Sequence, residues 1–127
     1  MSHKVCVKQL RLHVQVLASV AERVAELHEA GYIHRDLKPG NITLMQRDER
    51  WAIVDFGCVA RVGVSEPLRF SLAYAAPEVV RTAMQPDSKG IVADPAFDAW
   101  SLGVIAFEVL TGERAFGTNA LTKDEVC

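Results

Sequence analysis

Two short polar strings in the first half of the chain contain side chains that could do chemistry together. The first, HRDLKPGN at residues 34–41, contains Asp36, Lys38 and Asn41, and the second, DFG at residues 55–57, begins with Asp55. A carboxylate can accept a proton from a reacting hydroxyl group, and carboxylate and amide oxygens are ligands for hard cations such as Mg²⁺. Taken singly, each residue is equally compatible with a solvated polar loop.

The hydrophobic pattern predicts the elements that would position these strings. Apolar residues recur every three or four positions from about residue 6 to 29, which predicts a helix that stops at Gly31. The string at 34–41 contains Pro and Gly and is predicted to be a loop. Two apolar runs at 42–45 and 51–54 then predict a small hairpin. The predicted core stripe of the helix consists of Leu10, Val14, Leu17, Val20 or Ala21, Val24 and Leu27.

The second half is predicted to contain a long loop and two helices. Residues 55–72 show no sustained period, and long loops in compact domains are usually functional. Pro77 is predicted to begin a short helix that ends near Met84. After a loop at 85–97, Asp98 is predicted to cap a buried helix that runs to about Leu110. Its predicted core residues are Val104, Ile105, Phe107, Val109 and Leu110.

Four strings occur in the order and at the spacings of one protein family. They are HRDLKPGN at 34–41, DFG at 55–57, which starts 19 residues after Asp36, APE at 76–78, and DAWSLG at 98–103. Together they resemble the catalytic domain of eukaryotic-type Ser/Thr protein kinases. A three-residue string occurs by chance, whereas four in the family order do not. The resemblance covers about residues 6–117 and implies an α+β fold: a mainly helical part of the C-terminal lobe, with a small β-hairpin around the catalytic loop.

The resemblance implies phosphoryl transfer from Mg-ATP to a protein hydroxyl. Asp36 would accept the hydroxyl proton and orient the acceptor, and Lys38 would place positive charge near the transferred group. Lys38, Asn41 and Asp55 would bind the cofactor ATP with its Mg²⁺, for which Asn41 and Asp55 would be the metal ligands. The K-P-x-N form at 38–41 goes with Ser/Thr acceptors in this family.

Other residues acquire supporting roles from the same resemblance. His34, which alone could suggest a metal ligand or a base, would pack beneath Phe56 in an internal spine. Gly57 completes the DFG string, and Asp98 opens the central helix. Glu78 would pair with an Arg from a later helix, which residues 1–127 do not contain, so it has no assignable partner.

Residues 55–78 resemble the activation segment of this family. Ser71 stands where Thr is usual and keeps a hydroxyl that could contact Asp36 and Lys38. Phe70 stands where Gly is usual, which predicts a changed backbone path because Phe rarely adopts positive φ. Arg35 is the form associated with control by phosphorylation, and Ser65 is the predicted phosphoacceptor, whose phosphate would pair with Arg35.

Composition excludes several classes of function. The net charge is -2 with 24% charged residues, which indicates neither nucleic acid nor an anionic membrane as a partner. The longest apolar stretch, around residues 100–110, is shorter than the roughly 20 residues that span a bilayer. The 3 cysteines are far apart, so we expect no disulfide framework and an intracellular, cytoplasmic location. Cys58 directly follows DFG, near the nucleotide site that the resemblance implies, and could be reachable by electrophiles there. The favoured prediction is that it is a small buried hydrophobic residue.

Parts of a complete kinase domain are missing from residues 1–127. Residues 1–33 contain no glycine-rich phosphate loop, no strand lysine of the V-A-I-K type and no helix glutamate to pair with such a lysine. We therefore expect a partial domain that is inactive in isolation, with part of its last helix facing water. The alternative is a non-catalytic, kinase-like binding module that docks on a partner protein. The sequence predicts neither the protein substrate nor the oligomeric state.

Overall fold

The first helix, α1, spans Val7–Glu29. The computed structural model describes residues 7–116 and 125–126. The predicted first helix is confirmed, although its expected start at residue 6 lies outside the described residues. Gly31 follows the helix with φ of 91°, a left-handed conformation in which glycine ends helices without steric cost.

The buried stripe of α1 is shorter than predicted. Val20 and Val24 are buried, whereas Leu10 and Val14 are 42% and 52% exposed. The part of α1 that packs into the core begins at Val16. Periodicity identifies which face of a helix is apolar, but it does not tell how much of the helix length is covered by other elements.

The polar loop lies between two short pieces of sheet. Strand β1 at Tyr32–Ile33 precedes it, and a 3₁₀ turn at Pro39–Asn41 ends it. Strands β2 at Ile42–Met45 and β3 at Arg50–Ile53 follow as an antiparallel hairpin, with Ile42 opposite Ile53. The predicted hairpin is therefore correct to within one residue.

The segment predicted as an unstructured loop contains three two-residue strands. Strand β4, Ala60–Arg61, pairs with β1, and β5, Ser65–Glu66, pairs with β7, Ile91–Val92. Strand β6, Phe70–Ser71, pairs with β8, Glu125–Val126. Strands of two residues are too short to show an alternating pattern. Because Phe70 is in a strand, it occupies the usual glycine position without positive φ.

Helix α2 spans Pro77–Ala83 and confirms the predicted short helix. Helix α3 spans Pro95–Thr111 and begins earlier than predicted, because Asp94 is its N-cap and accepts a hydrogen bond from the Ala96 N–H at 2.8 Å. The prediction that Asp98 caps this helix is therefore wrong. The helix ends at Gly112, whose φ is 71°.

Two apolar clusters hold the polar loop from both ends. Ile33 and Leu37 flank residues 34–36; each is completely buried, and each belongs to a different cluster. The first cluster is Val20, Val24, Leu37, Ile53, Tyr74, Val104 and Ile105, and the second is Ile33, Ala60, Ala76, Val79, Ala93 and Phe97. In α3, Phe107 and Leu110 are 45% and 40% exposed, so the predicted partial exposure of this helix is confirmed there but not at Val104 and Ile105.

Two further expectations have mixed outcomes. Cys58 is completely buried, as predicted. It is also disulfide-bonded, which was not predicted from the sequence. Among the described residues, no helix combines the length and apolarity needed to cross a membrane.

Candidate active site

Asp36 is the one carboxylate of the polar loop at 34–41. It is only 4% exposed, and its Oδ1 accepts a hydrogen bond from the Ser71 hydroxyl at 2.6 Å. The Lys38 ammonium donates to the same hydroxyl at 3.2 Å and lies 3.8 Å from Asp36 Oδ2. The predicted contact of Ser71 with Asp36 and Lys38 is thus present. It joins the catalytic loop to β6, which is 33 to 35 residues further along the chain.

Asn41 is positioned by the backbone and by the carboxylate of Asp36. Its amide Nδ2 donates to the Asp36 carbonyl oxygen at 2.8 Å and to Asp36 Oδ2 at 3.3 Å. Since the amide nitrogen is used in this way, the amide oxygen is the atom that remains for a cation. The Asn41 carbonyl accepts from the Val54 N–H at 2.8 Å, which brings the hairpin end next to Asn41, one residue before Asp55.

Asp55 lies at the surface in a left-handed conformation, with φ of 59°. Its Oδ1 accepts the Gly57 N–H at 3.2 Å, a local bond that Asp can make in turns. The carboxylate of Asp55 and the amide oxygen of Asn41 are both hard oxygen atoms, the type of ligand that Mg²⁺ prefers. Among the described residues, no group of three or more His, Cys, Asp or Glu side chains could hold a metal ion.

His34 is a structural residue, as the sequence predicts. The imidazole is completely buried; Nδ1 accepts the Asp36 N–H at 3.1 Å, and Nε2 donates to the Val54 carbonyl at 3.0 Å. Its ring meets Phe56 edge to face, with 5.4 Å between centroids. Both ring nitrogens are used within the protein, so His34 orients the loop.

Asp98 connects α3 to the polar loop and to α1. Its completely buried carboxylate accepts the His34 N–H at 2.8 Å and the Arg35 N–H at 3.0 Å. His28 Nε2 lies 2.8 Å from the same carboxylate. Sequence reasoning assigned no role to His28, because nothing in a lone helix histidine indicates a partner 70 residues away.

Arg35 uses its guanidinium on main-chain oxygens of the segment at 55–78. Nε donates to the Cys58 carbonyl, and Nη1 donates to the Pro67 carbonyl at 2.7 Å. Burial lowers the pKa of Arg35, and the charge of Glu66 opposes that effect. Ser65 is exposed in β5, and its phosphorylation stays a prediction. Glu78 opens α2 and, within residues 7–116, makes no ion pair shorter than 4.0 Å.

A second polar cluster beside the loop was not predicted. The Tyr74 hydroxyl donates to Glu108 Oε1 at 2.6 Å, and Arg114 Nη1 donates to Tyr74 at 3.2 Å. Burial and the carboxylate of Glu108 raise the pKa of Tyr74 to about 12. Tyr74 meets residues that follow it by 34 and 40 positions, so no local pattern could have revealed the cluster.

The family can now be assigned from a comparison with known proteins. A model of the protein kinase domain matches residues 2–126. The chain belongs to the protein kinase family. The polar loop and residues 55–78 carry the strings that resemble the catalytic loop and the activation segment of this family, and they are called by those names from here on.

Named relatives of this kinase chain include animal and bacterial enzymes. It is 35% identical to the Rho-associated protein kinase let-502 of Caenorhabditis briggsae, over 94% of this chain and 10% of that protein. It is 38% identical to human Citron Rho-interacting kinase, over 87% of this chain and 6% of that protein. With the serine/threonine-protein kinase PknL of Mycobacterium tuberculosis the identity is 37%, over 86% of this chain and 27% of the relative.

A solved structure supports the fold. The Cydia pomonella granulovirus kinase PK-1 superposes with a TM-score of 0.68 at 25% identity, over 83% of this chain and 36% of that one. The α+β kinase fold predicted from the sequence is confirmed. The chain spans about a third of this kinase structure and at most about a quarter of the relatives named above.

Proposed function

We propose that this chain is part of an ATP-dependent protein Ser/Thr kinase, which transfers a phosphoryl group from Mg-ATP to a Ser or Thr hydroxyl of a protein substrate. The observation that carries the proposal is the enclosed triad of Asp36, Ser71 and Lys38, with contacts of 2.6 and 3.2 Å. A module that only docks on other proteins has no physical need for this arrangement.

The triad suits the chemistry of a hydroxyl nucleophile. Asp36 Oδ1 already accepts a hydrogen bond from the Ser71 hydroxyl, which supports the proposal that the carboxylate orients an acceptor hydroxyl and takes its proton. Lys38 holds positive charge beside that carboxylate, where it would stabilise the charge of the transferred phosphoryl group. Phosphoryl transfer depends mainly on such positioning and charge stabilisation.

Asn41 and Asp55 are the proposed residues for the metal-bound nucleotide. When bound, Mg²⁺ neutralises charge on the ATP phosphates. Asn41 is held at Nδ2 by Asp36, so its amide oxygen is oriented before any ligand arrives. One amide and one carboxylate supply few protein ligands, which is typical of Mg²⁺ sites where phosphates and waters complete the shell.

We place residues 1–127 in a larger catalytic domain, from the helix before the catalytic loop through the central helix, with the N-terminal lobe and the last helices absent from this stretch. The coverage of 36% of the matched kinase structure supports this boundary. The isolated chain is then expected to be inactive. Use of ATP and a protein substrate would fit an intracellular, cytoplasmic location, and neither nucleic acid nor a membrane is needed as a partner.

The test is phosphoryl transfer by the intact protein, with labelled ATP and a mixed library of Ser/Thr peptides. Asp36→Asn should reduce transfer by at least about a hundredfold, because general base catalysis contributes roughly that much or more. Asp94→Asn is the matched control, since Asp94 is an exposed N-cap and Asn caps equally well. Equal transfer by the two variants, or none by the wild type, would refute the proposal.

The alternative is a non-catalytic module that docks on a partner protein. It is favoured by one observation, the exposed apolar face of α3. Trp100, Phe107 and Phe116 are 37%, 45% and 47% exposed, and they line a recess of about 480 Å³. A patch of this kind marks an interaction surface. Wild-type transfer equal to that of Asp36→Asn would favour this alternative.

A further inference from the structure

The activation segment is paired with a stretch of chain just before α3. We call this stretch, residues 90–93, the strap. The Gly63 N–H donates to the Ala93 carbonyl at 2.9 Å, and the Ala93 N–H donates to the Val64 carbonyl at 2.9 Å. The ladder continues as β5 against β7, with Ser65 opposite Val92 and Glu66 opposite Ile91. Four successive residues of the activation segment, 63–66, are therefore held by the main chain of the strap.

The two ends of the same segment are fixed by other contacts. On its N-terminal side, the Val62 N–H donates to the Gly31 carbonyl at 2.9 Å, and β4 pairs with β1. On its C-terminal side, Arg35 donates to the Pro67 carbonyl at 2.7 Å while its Nε reaches the Cys58 carbonyl. One guanidinium thus joins the beginning and the end of the loop through two main-chain carbonyl oxygens.

Gly90 makes the close approach of the strap possible. A Cβ atom at this position would overlap the Glu66 carbonyl oxygen and lie 3.0 Å from its carbonyl carbon. Gly90 also has φ of 152°, which L side chains rarely adopt. The two nearest atoms belong to the backbone of Glu66, whereas the third, the Ser65 hydroxyl oxygen at 3.4 Å, is at an ordinary contact distance. The two strands would therefore have to move apart to accommodate a side chain.

We propose that the strap orders the activation segment without phosphorylation of Ser65, with Gly90 as the residue on which this pairing depends. The consequence for catalysis rests on the proposed kinase function, whereas the ordering itself does not. A phosphate on Ser65 would then add charge to a segment that is already in place. This differs from the expectation drawn from Arg35 and Ser65 in the sequence, in which a phosphate creates the order.

The test is hydrogen exchange of the intact protein after phosphatase treatment, with loss of phosphate verified by mass. The Gly63 and Ala93 amides should be protected in the wild type and equally in Ser65→Ala. Gly90→Ala should increase their exchange by about tenfold or more while the amides of α1 stay protected, because only a local unit opens. Gly103→Ala is the matched control, since a Cβ there meets nothing within 4 Å.

Several outcomes would overturn the proposal. Protection that appears only after Ser65 is phosphorylated would show that the phosphate orders the segment. Equal amide exchange in Gly90→Ala and Gly103→Ala would show that the pairing of the strap does not depend on Gly90. If Gly90→Ala fails to fold, trypsin cleavage of the wild type at the exposed Arg61 and Arg69 decides: unchanged rates after phosphatase treatment support the strap, and faster rates contradict it.

A parallel assay separates this inference from the proposed function. Dephosphorylated wild type and Ser65→Ala should transfer phosphate equally, and Gly90→Ala should transfer less. Protected amides in a protein with no transfer at all would refute the kinase proposal and leave the ordering by the strap intact. Full transfer by Gly90→Ala with fast exchange would refute the link between the strap and catalysis.

Discussion

Replacing Asp98 with Asn tests whether one buried carboxylate holds the catalytic loop. Asp98 Oδ2 meets the His34 N–H and His28 Nε2, each at 2.8 Å, and Oδ1 meets the Arg35 N–H at 3.0 Å. Asn keeps one oxygen, so in its better orientation the amide NH₂ still faces the Arg35 N–H. The variant therefore loses at least one charge-assisted hydrogen bond and leaves buried donors unpaired.

The magnitude follows from these contacts. A hydrogen bond to a charged group contributes about 1.5–3 kcal/mol, and a buried unpaired donor costs about 1–3 kcal/mol. Because Asn also removes the desolvation cost of a buried charge, we expect a net loss of about 3 kcal/mol in the free energy of unfolding. Most small domains have a free energy of unfolding of about 5–15 kcal/mol, so the variant should still fold.

Urea denaturation of the intact protein measures this loss as a lower midpoint at unchanged slope. Asp94→Asn, four residues earlier and at the exposed N-cap of the same helix, should change stability by less than about 0.5 kcal/mol. A difference between the two variants below about 1 kcal/mol would contradict the reasoning. Should Asp98→Asn not fold, His28→Ala removes only one donor, and about 1–2 kcal/mol is expected.

Two further predictions concern the neighbourhood of the catalytic loop. Ser71→Ala should destabilise the protein by about 1–3 kcal/mol, because Asp36 stays buried with one hydrogen-bond donor fewer. Ser71→Thr keeps the hydroxyl and should retain both the stability and the phosphoryl transfer of the wild type. Equal thermal unfolding midpoints for the two variants would contradict a stabilising contact between Ser71 and Asp36. Tyr74 should ionise at a pKa of about 12, where its neutral form is favoured by burial and by Glu108. The folded state then retains a proton that the unfolded chain releases near 10, so stability should fall as pH rises from 10 to about 12. The substitution Glu108→Gln should move this pKa toward 10, as measured by titration followed by tyrosinate absorbance. An unchanged pKa would show that burial alone raises it.

The elements that the sequence predicted correctly are those whose signals lie close together along the chain. The helix period gave α1, and Pro77 gave the start of α2, because each signal lies within a few residues of the element it forms. The motif order gave the contact between Ser71 and Asp36, although the two lie 35 residues apart. That contact was available only through the family resemblance, since spacing alone does not bring two loops together.

The failures come from interactions that cross the chain. Asp98 was expected to cap α3 because it precedes an apolar run, yet Asp94 stands four residues earlier with Pro95 at the first helical position. The carboxylate of Asp98 is used instead on a loop more than 60 residues away. The strap was missed for the same reason, because two-residue strands are specified by their partner and not by their own sequence.

The backbone of the site favours the enzymatic interpretation over the docking alternative. Among the residues that the structure describes, three non-glycine residues have positive φ. Glu49 is in the turn of the hairpin, while Arg35 and Asp55, at 73° and 59°, belong to the catalytic loop and the DFG string. Such conformations cost about 1–3 kcal/mol each and persist only where the surroundings enforce them. At Arg35 the enforcing contacts come from Asp98 and from two carbonyls of the activation segment. A protein that acted only through the outer face of α3 would gain nothing from holding this strain in the polar loop, whereas a kinase that must position Asp36 next to Arg35 would.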